Sequence, residues 1–74
     1  MQYHELLAKF IKELREENQF SLNSFAFTNE IEPSTLSRIE NGKLEIKISV
    51  LSKIANGFNK TPSEFLKSFE NNLH

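Results

Sequence analysis

An all-α fold of five short helices in one domain is what this sequence predicts, on three observations. Apolar residues recur at helical spacing in successive stretches, whereas no segment sustains the period-two alternation of a strand. Helix-opening residues stand before the stretches, as at Ser21, Pro33 and Thr61-Pro62-Ser63-Glu64. The chain has 74 residues, enough for one small domain that buries about 60% of its unfolded surface. No linker, repeat or low-complexity run divides it, so residues 1–74 are expected to form a single domain.

Leu7, Phe10, Ile11 and Leu14 follow the i, i+3, i+4, i+7 pattern of an amphipathic helix, with Lys9, Lys12, Glu13, Glu16 and Glu17 on its other face. The first helix therefore runs from about Tyr3 to Asn18. Ser21 caps a brief second helix to Thr28, with Leu22, Phe25 and Ala26 inward. Pro33, whose missing N–H costs nothing at the first helical position, opens a third. Leu36 and Ile39 form its inward face, and Asn41-Gly42 ends it with residues that tolerate a left-handed backbone. Ile48, Leu51, Ile54, Ala55 and Phe58 make the stripe of a fourth helix. Thr61-Pro62-Ser63-Glu64 is a capping box opening a fifth, with Phe65, Leu66, Phe69 and Leu73 along one side.

Composition excludes several classes. There is no cysteine, hence no disulfide, thiolate metal site or thiol redox chemistry, which suits a reducing cytoplasm. No apolar run is long enough to span a membrane, and Met1 is not followed by the basic and apolar segments of a secretory signal. The only glycines, Gly42 and Gly57, make no phosphate-cradling loop. His4 and His74 stand near opposite ends as solvated residues, with no metal-ligand spacing. Catalysis, a cofactor, a metal and a small-molecule ligand are not expected. The net charge of −1 conceals an uneven distribution. Residues 13–32 carry five Glu against Arg15, a net −4, whereas residues 33–62 carry five Lys or Arg against Glu40 and Glu45, a net +3.

Two short helices joined by a tight turn, the second opened by Pro33, describe a helix-turn-helix. The run from Phe20 to Ala26, then Ile31-Glu32-Pro33-Ser34-Thr35-Leu36-Ser37-Arg38-Ile39-Glu40-Asn41-Gly42, resembles the Cro/C1-type (XRE-like) helix-turn-helix family without a gap. Leu51-x-Lys53-Ile54-Ala55 and the cap at Thr61 extend the resemblance over about residues 6–69. It implies a five-helix, lambda-repressor-like DNA-binding domain that acts as a homodimer on double-stranded DNA. The segment around Glu45-Ile46-Lys47-Ile48 also looks like the small controller proteins of restriction–modification systems.

With Leu36 and Ile39 inward, Pro33, Ser34, Ser37 and Arg38 occupy the exposed face of the third helix, and the resemblance assigns base reading to these four positions. Arg38 carries the most discrimination, because a guanidinium can bond guanine O6 and N7 together. The resemblance places phosphate contacts at Ser21, Thr35, Asn41 and Lys43, with Lys47 a further candidate. It also pairs Arg15 with Glu40 as a structural ion pair, and it points to the fourth and fifth helices for self-association, with Phe69 and Leu73 as interface candidates.

The chain departs from the family pattern at four positions. Leu22 replaces a glutamine that donates to phosphate, and Lys60 stands where an aliphatic residue is preferred. Glu30 occupies a turn position usually held by Gly or Asn, so the turn is either strained or built differently. Glu32 replaces the usual Ser or Thr cap; its carboxylate can accept from cytosine N4 or repel phosphate. Phe27, at a normally outward position, either folds over the core or forms a partner surface. Two functions follow: a sequence-specific transcriptional regulator, or a protein-interaction module (an antitoxin-like or adaptor protein) retaining the fold.

Overall fold

A computed structural model, which describes residues 1–73, contains five helices: α1 (Tyr3–Glu17), α2 (Leu22–Thr28), α3 (Pro33–Glu40), α4 (Ile48–Gly57) and α5 (Pro62–Asn72). No strand occurs among the described residues. His74, expected to be solvated, lies outside them. No described helix is long and apolar enough to cross a membrane.

Local chemistry explains where the helices begin. Ser21 Oγ accepts from the Ser24 N–H at 3.2 Å, and Thr61 and Glu64 exchange two hydrogen bonds across the first turn of α5. Pro33 and Pro62 occupy first helical positions. Glu32 stands at the N-cap of α3, yet its side chain makes no capping bond.

The first four helices end alike. A left-handed residue follows each cap: Gln19 (φ 60°), Glu30 (φ 59°), Gly42 (φ 72°) and Asn59 (φ 60°). The next N–H then reaches back to close the turn, as from Ile31 to the Ala26 carbonyl at 2.8 Å and from Lys43 to that of Arg38 at 2.9 Å. Gly42 adopts this conformation freely, whereas a Cβ there costs about 1 kcal/mol, so Gln19, Glu30 and Asn59 are mildly strained. Of the two alternatives for this turn, Glu30 therefore takes the strained, left-handed one. Lys53 of α4 steadies it by donating from Nζ to the Glu30 carbonyl at 3.0 Å.

The core gathers Leu7 and Ile11 of α1, Phe25 and Ala26 of α2, and Leu36 and Ile39 of α3. Leu51, Ile54 and Ala55 of α4, with Phe65 and Phe69 of α5, complete it. Six of the seven phenylalanines join Tyr3 in one chain of neighbouring rings, with centroids 4.9 Å apart at Phe25–Phe58 and 5.2 Å at Tyr3–Phe69. Gly57 permits this packing, because a Cβ there would lie 2.6 Å from Phe25 Cζ.

Ile48 departs from its helical stripe, Phe69 from the interface role that the resemblance gave it, and Phe27 from the reading in which it folds over the core. Ile48 is 76% exposed, since the first residue of α4 overhangs the end of the core, where Ile46 and Val50 pack instead. Phe69 is only 1% exposed: Tyr3 and Phe10 cover its ring. It belongs to the intramolecular core and offers no surface to a second copy, whereas Leu73 is 44% exposed at the end of α5. Phe27 is 85% exposed and folds over nothing.

Candidate nucleic-acid interface

The eight residues of α3 bury Leu36, Ile39 and Glu40 against the rest of the molecule. At 100° per residue, the opposite face is centred on Ser34 and Arg38, one turn apart. Pro33 and Ser37 flank that centre on one side and Thr35 on the other. Pro33, Ser34 and Arg38 are exposed, and Ser37 is half-buried. The four positions assigned to base reading are therefore brought together on one accessible surface, spanning about 7.5 Å along the axis by the helical rise. Arg38 makes no ion pair with any described residue, so its planar donor fork is free.

The phosphate candidates stand at the start of α2, on α3 and in the α3–α4 loop. Ser21 is exposed at the start of α2; its oxygen accepts from Ser24, and its hydroxyl hydrogen remains available. Lys43 and Lys47 are exposed at the two ends of the α3–α4 loop, unpaired with any described carboxylate. Thr35 is half-buried on the flank that faces α4, in a groove of about 470 Å³ shared with Glu30, Glu32, Lys47 and Lys53. Asn41 has a structural task already, since its amide donates to the Ser37 carbonyl at 2.8 Å and closes α3.

The surface is held by a buried ion pair. Arg15 of α1 donates from Nε to Glu40 Oε2 at 2.8 Å and from a terminal nitrogen to Oε1 at 3.0 Å. Its other terminal nitrogen donates to the Phe20 carbonyl at 2.7 Å. The two side chains are 8% and 2% exposed. The hydrogen bonds that Arg15 donates to Glu40 raise its pKa above the ordinary value, against the opposing effect of burial. One guanidinium thus ties α1 both to the segment entering α2 and to the last turn of α3. The pairing was expected from the family pattern, but the bond to Phe20 was not. Lys53 was missed altogether, because a contact between residues 23 positions apart leaves no local signal.

Chemically, the outward face of α3 presents a free guanidinium and hydroxyls, with exposed ammonium groups in the loop that follows. Among the described residues no three His, Asp or Glu side chains converge as a metal site. A helix of this size, with short polar side chains and one arginine outward, has the dimensions to enter the major groove of B-DNA. Fold and site together define a helix-turn-helix DNA-binding domain of the XRE-like type.

The sequence itself places the chain more closely. Residues 8–68 match the profile of a helix-turn-helix domain family, and the chain belongs to that family. Among solved structures, the clp gene regulator ClgR from Corynebacterium glutamicum superposes with a TM-score of 0.82 at 18% identity, covering 97% of this chain and 77% of that one. A second crystal structure of ClgR gives 0.81 at 18% identity, covering 100% of this chain and 96% of that one. An HTH_3 family transcriptional regulator from Vibrio cholerae gives 0.78 at 29% identity, over 89% of this chain but only 37% of the other. At 18% identity the ClgR likeness speaks for the fold alone. No curated protein matches the chain.

Proposed function

We propose that this protein is a sequence-specific transcriptional regulator that binds double-stranded DNA as a homodimer, each copy placing α3 in the major groove of a half-site. The observation that carries the reading is the outward face of α3. Pro33, Ser34, Ser37 and Arg38 stand there together, with no other described partner for the arginine. In this reading Arg38 bonds guanine, while Ser34 and Ser37 bond base edges directly or through water. Ser21, Thr35, Asn41, Lys43 and Lys47 hold the phosphates on either side. Residues 1–74 act as one DNA-binding domain in the cytoplasm. The likeness to the protein from Vibrio cholerae named as a transcriptional regulator, at 29% identity, supports the same reading.

The dimensions of one copy suit a dimer on two half-sites. Half-sites one helical turn apart lie about 34–36 Å from centre to centre, and the longest extent of one copy is 31 Å. Two half-sites therefore need two copies. With Phe69 in the core, the self-association surface falls to exposed side chains near the ends of α4 and α5, Leu73 among them.

The deciding experiment is selection of bound sequences from a random DNA pool, with Arg38→Ala beside the wild type. The wild type should enrich a palindrome with half-sites one turn apart. Arg38→Ala should lose the preference for one base pair per half-site, by about 1–3 kcal/mol, and keep the rest. An unchanged preference in the variant sinks the assignment of Arg38. The exposure of Phe27 favours a second reading, a protein-interaction module on the same fold. A stable dimer that retards no genomic DNA at low salt would establish it instead.

A further inference from the structure

We propose that Glu32 is a specificity-determining residue that reads the exocyclic amine of cytosine in each half-site; this rests on the DNA-binding reading above. Glu32 is exposed at the N-cap of α3, the end of a recognition helix that meets base edges. A side chain at this position ordinarily caps its own helix, and that of Glu32 does not. Nor does it pair with any described cation: Lys53 and Lys47 line the same groove, but Lys53 donates to the Glu30 carbonyl and neither makes an ion pair with Glu32. Its two oxygens are accordingly unengaged, on a helix whose only other carboxylate, Glu40, is buried against Arg15.

The charge decides what those oxygens can meet. A helix N-terminus otherwise attracts phosphate, but a carboxylate placed there repels it. The entry of α3 must then face bases rather than the sugar–phosphate rim. A carboxylate only accepts hydrogen bonds, so it needs a donor in the major groove. Guanine offers two acceptors, and thymine an acceptor and a methyl group. Adenine places its amine beside the N7 acceptor, which a carboxylate also meets unfavourably. Cytosine presents N4–H₂ alone, and is the base whose own edge suits Glu32 throughout. Acidic replacement of the usual hydroxyl cap therefore exchanges a small helix-capping gain for base selection. The same group lowers affinity for DNA in general.

The test is selection from a random duplex pool at low salt with the wild type, Glu32→Gln and Glu32→Ala, followed by competition binding with the enriched site and its single-base variants. The exposed, uncapped position means that both variants should fold, which their thermal melts check. The wild type should require C at one position per half-site. Glu32→Ala should lose that preference by about 5- to 100-fold while keeping the others, and it should bind random DNA more tightly. Glu32→Gln, which can both donate and accept, should admit adenine at the same position. If Glu32→Ala binds every sequence more tightly by one common factor and retains the full motif, Glu32 only repels phosphate and the proposal fails, with DNA binding intact. If none of the three proteins binds DNA, the regulator reading fails and this inference with it.

Discussion

Replacing Glu40 by leucine removes both acceptors of the Arg15 fork and leaves a guanidinium, 8% exposed, with only the Phe20 carbonyl at 2.7 Å. Losing one partner of a buried pair costs about 3–5 kcal/mol, since the remaining charge is neither hydrated nor neutralised. A domain of 74 residues has about 4–11 kcal/mol in total, at about 0.05–0.15 kcal/mol per residue. The single variant should therefore melt at least about 12 °C lower, or be unfolded at 37 °C. Arg15→Met should do comparable damage by stranding the carboxylate. The double variant is the informative one. It removes both charges, lets the methionine and leucine pack together, and leaves chiefly the Phe20 carbonyl unsatisfied, a loss of about 1 kcal/mol. It should be more stable than either single variant, with a coupling of at least about 2 kcal/mol. Urea unfolding followed by far-UV circular dichroism at neutral pH measures all four proteins. Single losses below about 1 kcal/mol, the range of exposed pairs, would refute the reasoning. So would additivity within about 0.5 kcal/mol.

Three further predictions concern the helix ends. Glu30→Gly should stabilise the fold by about 1 kcal/mol relative to Glu30→Gln, because the glutamine keeps the left-handed strain at φ 59° and both remove the charge; equal denaturation midpoints would mean that the turn is unstrained. Thr61→Ala should cost about 1 kcal/mol by removing the acceptor for the Glu64 N–H. The hydrogen bond from the Thr61 N–H holds the Glu64 pKa below its ordinary value, with the Thr61 side chain the second cause. A lowered folded pKa means that this stabilisation is present above the ordinary carboxylate range and lost as pH falls through the folded value. The stability difference between wild type and Glu64→Gln should accordingly shrink on acidification, and a difference independent of pH would contradict it.

Starts and stops governed by chemistry within three or four residues are legible in the sequence. Thr61-Pro62-Ser63-Glu64 and Pro33 specify their helices because a cap and its partner lie in the same turn. What periodicity cannot supply is how far the core extends along a stripe. Phe65, Phe69 and Leu73 share a side of α5, but Tyr3 from the other end of the chain covers Phe69 and leaves Leu73 half in water. Ile48 fails for the same reason at the start of α4. The left-handed Gln19 carried no glycine to announce it, and its conformation is imposed by closure of the turn from the Phe20 N–H to the Arg15 carbonyl. For the site, outwardness of Ser34 and Arg38 was readable from the inward Leu36 and Ile39. The Lys53 brace was not, because its acceptor is a backbone carbonyl that any sequence would provide.

The uneven charge makes the salt dependence of DNA binding a quantitative test of the assigned roles. If Arg38 reads a base, the cations left for phosphate on each copy are Lys43 and Lys47. The remaining contacts, from Ser21, Thr35 and Asn41, are neutral and release no counterion. Lys53 is engaged with the Glu30 carbonyl, and the acidic side chains of α1 add nothing attractive. Two copies then neutralise about four phosphates, which predicts a slope of log K against log salt of about −3.6. Between 50 and 200 mM salt the affinity should fall by about 150-fold, well short of the thousandfold or greater loss of a protein with six or more phosphate contacts. Removing Lys43 should bring the slope toward zero by about two for the dimer, and Arg38→Ala should leave it unchanged. A slope that responds equally to both substitutions would mean that Arg38 lies on phosphate, and the outward face of α3 would then owe its base selection to Glu32 and the two serines.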